Sequence, residues 1–69
     1  MAELLEIQAT GTINGERAAR CDILASSEEL ENLTCIDGYV LMNGSFAWDV
    51  VNKSIYALQN GTWYKQTNN

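Results

Sequence analysis

Three Asn-Gly dipeptides, at Asn14-Gly15, Asn43-Gly44 and Asn60-Gly61, divide the chain into runs rich in Ile, Val, Thr, Trp and Tyr. Asparagine and glycine both tolerate the left-handed backbone region, so the pair between β-prone runs is a strong local signal for a tight hairpin. Three such signals in 69 residues, with no proline to interrupt them, call for antiparallel strands joined by short turns. One small core is all that this length supplies. The fold class expected is mainly β, a single small α+β domain over 1-69. Its order would be an antiparallel hairpin, one short helix at about 26-33, then an antiparallel meander of three to four strands.

The opening hairpin shows the period of two that a half-buried strand requires. Leu5, Ile7, Ala9, Gly11 and Ile13 alternate with Glu6, Gln8, Thr10 and Thr12, and Arg17, Ala19, Cys21 and Ile23 supply the matching face. A two-residue Asn14-Gly15 loop would set Ile7 against Asp22 and Ala9 against Arg20, mixing core and solvent residues. A three-residue loop, Ile13-Asn14-Gly15, with Gly15 as a bulge pairs Leu5 with Ile23, Ile7 with Cys21 and Ala9 with Ala19. The bulged loop is therefore expected.

Ser26 followed by Glu29 fits a capping box, and the glutamates Glu28, Glu29 and Glu31 sit where a helix dipole favours negative charge. Leu30 and Leu33 would face the sheet. Strands are then expected around Gly38 to Met42, Ser45 to Val51, Ser54 to Gln59 and Thr62 to Gln66. A turn at Asn43-Gly44 pairs Tyr39 with Trp48 and Leu41 with Phe46. A turn at Asn60-Gly61 pairs Leu58 with Trp63 and Ala57 with Tyr64.

Leu58 and Trp63 then share one face of the last hairpin, while Ile55, Ala57 and Tyr64 share the other. One short helix cannot cover two apolar faces. Either the sheet curls on itself or the second face is buried in an oligomer or against a partner. Burial at ~25 cal/mol per Å² roughly cancels ordering entropy at ~1.5 kcal/mol per residue in so small a chain, which makes further burial attractive. The candidate interface residues are Phe46, Trp48, Tyr56, Leu58, Trp63 and Tyr64.

Charge and residue chemistry narrow the function. Nine acidic against four basic residues give a net charge of −5, which opposes the counterion release that drives nucleic-acid and anionic-membrane binding. No run approaches the roughly 18 apolar residues of a spanning helix, and Met1-Ala2-Glu3-Leu4-Leu5-Glu6 lacks the basic start of a signal peptide. With no histidine and two cysteines, no catalytic, cofactor-binding or metal-binding residue is expected. Asp37 and Asp49 would be neighbours if Gly38 pairs with Asp49, and turn and edge solubility accounts for them. Cys21 and Cys35 are expected as free, buried thiols, with a disulfide between them as the alternative. The aromatic set in the second half reads first as core packing, with a stacking platform for sugar or single-stranded nucleic acid as the alternative.

The segments Gly44-Ser45-Phe46-Ala47-Trp48-Asp49, Ser54-Ile55-Tyr56-Ala57-Leu58 and Asn60-Gly61-Thr62-Trp63-Tyr64-Lys65 carry a further signal. Together they resemble the ending of short proteins encoded among tailed-phage and prophage structural genes, which read Gly-Ser-x-Ala-Tyr, then Ile-Tyr-x-Leu, then Gly-x-Trp. Trp48 stands where tyrosine is usual. The resemblance covers about a third of the chain, and it implies a virion-associated or assembly-associated protein with no catalytic residues to carry over. Ser45, Ala47, Trp48, Ile55, Tyr56 and Trp63 would be fold determinants.

The expected function is thus a non-enzymatic phage or prophage structural or assembly-associated protein. It would act by self-association or by docking on a larger assembly, in the virion or the host bacterial cytoplasm. Its partners would be copies of itself or phage structural proteins, with neither nucleic acid nor membrane bound and no cofactor. The alternative is a small acidic inhibitor or host-takeover protein that mimics nucleic-acid charge with Glu3, Glu6, Glu28, Glu29, Glu31 and Asp37. A carbohydrate-binding module built on Trp48, Tyr56 and Trp63 is a third reading.

Overall fold

The computed structural model describes residues 1–67. Hairpin, helix and meander follow in the expected order as β1 (Glu3–Ile13), β2 (Glu16–Leu24), α1 (Ser27–Leu30), β3 (Cys35–Ile36), β4 (Tyr39–Leu41), β5 (Phe46–Asp49), β6 (Ser54–Gln59) and β7 (Thr62–Lys65). The protein is mostly β with one short helix, built as a single curled, mixed sheet.

The first hairpin differs from expectation in where its irregularity lies. Asn14 and Gly15 both take positive φ, 52° and 81°, and Ile13 faces Glu16, so the loop is a two-residue turn rather than a three-residue bulge. That turn type matches the twist of the strands it joins. Parity is restored inside β1 instead, where the register shifts at Leu5 and again at Gln8. Ile7 therefore does face Cys21, but Ala9 meets Arg20 and Leu4 replaces Leu5 opposite Ile23.

β2 is the centre of the sheet. β1 lies antiparallel along one edge, and the other edge is shared by two strands that both run parallel to β2. Ala18 and Ala19 pair with Val40 and Leu41 of β4, and Asp22, Ile23 and Leu24 pair with Phe46, Ala47 and Trp48 of β5. Asn43-Gly44 is consequently not a hairpin, and Tyr39 does not face Trp48, nor Leu41 Phe46. Gly44 alone takes positive φ there, 90°, and Ser45 N–H closes the turn on the Met42 carbonyl at 3.2 Å. A hairpin turn of the Asn-Gly type needs positive φ at both positions. The hairpin forms one turn earlier, at Asp37 and Gly38 (φ 49° and 84°), which sets Ile36 opposite Tyr39.

At the break between β4 and β5 a side chain continues the ladder. The buried Ser45 hydroxyl accepts the Cys21 N–H at 3.1 Å and donates to the Met42 carbonyl at 2.8 Å, standing where a strand would offer a backbone carbonyl. β5, β6 and β7 then form the expected antiparallel meander, with Leu58 opposite Trp63 and Ala57 opposite Tyr64.

The core lies on the inner face, where Cys21, Ile23, Leu41, Ala47 and Leu58 pack beneath Leu30 of α1. The capping box is present, with Ser26 Oγ accepting from Glu29 N–H and Glu29 accepting from Ser26 N–H. The Met1 amino group first, and then Ser26 N–H, hold the Glu29 carboxyl below its ordinary value. α1 is shorter than expected because Glu31 is already extended (φ −60°, ψ 117°) and Asn32 follows at φ 65°, turning the chain away, yet Leu30 and Leu33 do face the sheet.

Candidate interface

Strand alternation sorts the aromatic residues between two faces. In β5, Ala47 and Asp49 point inward and are buried, while Phe46 and Trp48 point outward at 42% and 41% exposure. Pairing carries this across the meander, so Phe46, Ala57 and Tyr64 form one row over three strands, and Trp48 and Ile55 form a second beside it. Tyr64 is the most open of these rings at 54%. Leu24, opposite Trp48 on β2, adds an aliphatic edge to the second row.

Of the six expected interface residues, Phe46, Trp48 and Tyr64 come together on this outer face. The other three do not. Leu58 is 2% exposed and belongs to the core, because its position in β6 places it on the helix side. Tyr56 and Trp63 are half-buried on that same inner side, and Trp63 Nε1 donates to the Leu33 carbonyl at 2.9 Å, pinning the segment after α1 to β7. Leu58, Tyr56 and Trp63 hold the sheet to its helix.

Ile55 and Ala57, expected on one face with Tyr64 but not as interface candidates, join the patch, as does Leu24. Val50 and Val51 are exposed at the patch end because β5 stops at Asp49, short of the expected Val51. Asp49 causes the stop. Its buried carboxylate accepts Asn52 N–H at 3.1 Å and Asn52 Nδ2 at 2.8 Å, closing the turn on itself, and accepts Ser27 N–H at 3.1 Å from the start of α1. The Asn52 side chain first, then the backbone N–H groups of Asn52, Ser27 and Val51, hold this carboxyl below its ordinary value against the opposing effect of burial.

Polar groups rim the patch. Gln8, Arg20 and Asp22 line a groove beside Phe46 and Trp48, and Lys53 borders Trp48 and Ile55 on the far side. Gln8 Nε2 donates to Glu6 at 2.7 Å and to Asp22 at 3.2 Å, which fixes that edge. The patch thus has an apolar, aromatic centre and a polar margin.

The remaining sequence candidates are dispersed. Asp49 faces Ser54 rather than Gly38, and Asp37 sits in the β3–β4 turn, so the two carboxylates are not paired. Among the described residues no group of three His, Cys, Asp or Glu side chains is arranged to hold a metal ion. Cys21 and Cys35 are both free, Cys21 buried with its thiol pushed up by burial, then by Asp22 and Asp37, whereas Cys35 is exposed rather than buried. No helix is long and apolar enough to cross a membrane among the described residues. No protein-family model, curated protein or solved structure matches the chain.

Proposed function

We propose that this protein works without catalysis, by binding protein through the outer face of β5, β6 and β7. One observation carries the reading: α1 covers the inner face only, and Phe46 and Trp48, with Tyr64 across Ala57 from Phe46, stand exposed on the face left open. A chain of this size has little stability to spare, and covering a contiguous aromatic surface supplies more. Self-association or docking on a larger assembly is the function that such a surface serves.

The setting proposed is a tailed phage or prophage assembly, on the strength of the Gly-Ser-x-Ala, Ile-Tyr-x-Leu and Gly-x-Trp run. Ser45 and Ala47 are fully buried, which agrees with that run being a signature of fold.

Sedimentation equilibrium at low and high salt tests the binding mode. Apolar association holds or strengthens as salt rises, whereas charge-driven binding weakens. A salt-resistant oligomer is the expected result. A monomer at tens of micromolar removes self-association and leaves docking on another protein, which copurification with phage particles tests. Binding of a nucleic-acid enzyme that disappears with salt would favour the acidic-inhibitor reading instead.

A further inference from the structure

The sheet ends at β7, and the edge of that strand is open. In the β6–β7 hairpin the loop spans Asn60 and Gly61, and Gln66 N–H donates to the Ile55 carbonyl at 2.7 Å. Thr62, Tyr64 and Gln66 therefore direct their backbone groups at β6, and the intervening Trp63 and Lys65 direct theirs outward. Two residues thus present N–H and C=O groups to any strand that adds to this edge. The backbone groups of Trp63 and Lys65 bond to nothing else among the described residues.

We infer that the strand added is β7 of a second copy, antiparallel about a two-fold axis, with Tyr64 opposite Tyr64 of the other copy. The inference rests on the self-association reading and adds to it an edge contact that extends the outer face across the axis without covering Phe46 and Trp48. Four registers centre the axis within β7, and chemistry separates them; centring on Thr62 bonds Trp63 alone, to the turn at Gly61 of the other copy. Centring on Lys65 sets two ammonium groups directly opposite one another, which is destabilising. Centring on Trp63 bonds one strand residue and carries the next pair onto the turn at Gly61. Centring on Tyr64 bonds both Trp63 and Lys65 to Lys65 and Trp63 of the other copy, four hydrogen bonds in all.

Side chains favour the same register. Tyr64 would meet its equivalent at a non-hydrogen-bonded position, where side chains approach most closely. The row Phe46, Ala57, Tyr64 would then run unbroken across the axis into the second copy's equivalent row. On the opposite face each Lys65 lies over a Trp63 ring, a cation–π pairing. Glu31 borders the groove that Trp63 lines and supplies a counter-charge. A lysine on an edge strand normally deters pairing. Here each lysine finds a ring and a carboxylate rather than another lysine, so it selects the register.

Two measurements on the full chain test this. In a Cys35→Ser background, Tyr64→Cys places two thiols across the axis at a Cα separation of about 4.5 Å, within disulfide range, while two Gln66→Cys thiols are about 14 Å apart and out of range. Mild oxidation under native conditions is expected to crosslink the first and not the second. Lys65→Pro removes one outward N–H and leaves the β6 ladder intact, and it is expected to raise the dimer dissociation constant about tenfold or more with circular dichroism unchanged. A wild-type oligomer with no crosslink at position 64 and no response to Lys65→Pro overturns the β7 pairing and leaves self-association standing. A wild-type monomer without crosslinking overturns both. Should Lys65→Pro lose its fold, the crosslink decides alone: formation at position 64 but not 66 supports the pairing, and its absence overturns it.

Discussion

The Ser45 hydroxyl takes the Cys21 N–H at 3.1 Å and so bridges the gap where β4 ends and β5 begins along the edge of β2. A single side chain lets two short strands share one edge without leaving a buried amide unpaired. Both residues are fully buried, so water cannot replace the bond.

Ser45→Ala should accordingly destabilise the fold by about 1 to 3 kcal/mol, the penalty for stranding a buried donor. Urea denaturation measures it. The outer face is untouched by this change, so any oligomer should persist wherever the variant remains folded.

The two tryptophans should respond in opposite ways. Trp63 packs against the core and donates to the Leu33 carbonyl, so Trp63→Ala should cost about 3 kcal/mol or more, a large share of the roughly 3 to 10 kcal/mol available to a domain this small. Trp48→Ala removes an exposed ring and should leave the thermal midpoint of the monomer nearly unchanged while weakening association. Thermal melts paired with sedimentation separate the two effects.

Gly44 combines φ 90° with a would-be Cβ only 3.2 Å from Arg20 Cδ. Gly44→Ala should cost about 1 to 2 kcal/mol from the backbone conformation, while the flexible Arg20 side chain moves aside. Chemical denaturation compared with an Arg20→Ala, Gly44→Ala double variant tests this: most of the loss should remain when Arg20 is gone.

Acid should expose the role of Asp49. Its carboxyl titrates below its ordinary value when folded, held there first by the Asn52 side chain, so its contribution is present above the unfolded value of about 3.9 and is lost as pH falls through the folded one. Glu29, also lowered, acts in the same direction. Asp49→Asn should therefore melt below wild type at neutral pH, and the gap should narrow below about pH 4. A gap that is constant with pH would show that the carboxylate charge is not what holds the turn.

Much of this architecture is local chemistry made visible. The turn at Asn60-Gly61, the place though not the type of the turn at Asn14-Gly15, the Ser26–Glu29 capping box and the period-two strands depend on backbone preferences and bonds spanning a few residues, and could be read along the chain. So could the outer row, because alternation commits Phe46, Trp48, Ile55, Ala57 and Tyr64 to one side once the meander forms. The turn at Asp37-Gly38 was equally legible in kind, and it was the stronger signal at Asn43-Gly44 that drew the hairpin to the wrong place.

Pairing between distant segments is a different matter. That β4 and β5 both lie parallel to β2 follows from which strands fill its open edge, and an Asn-Gly pair accommodates that arrangement by giving positive φ to Gly44 alone. The shifts at Leu5 and Gln8 set Leu4, which packs on the core, opposite Ile23 and leave Ile7 exposed opposite Cys21, over a ribbon much longer than its turn controls. Leu58 enters the core because the helix lands on its side of the sheet. Turn chemistry dictates how the chain reverses, but the choice of neighbour is made by competition for core and for unpaired backbone, which no short stretch of residues encodes.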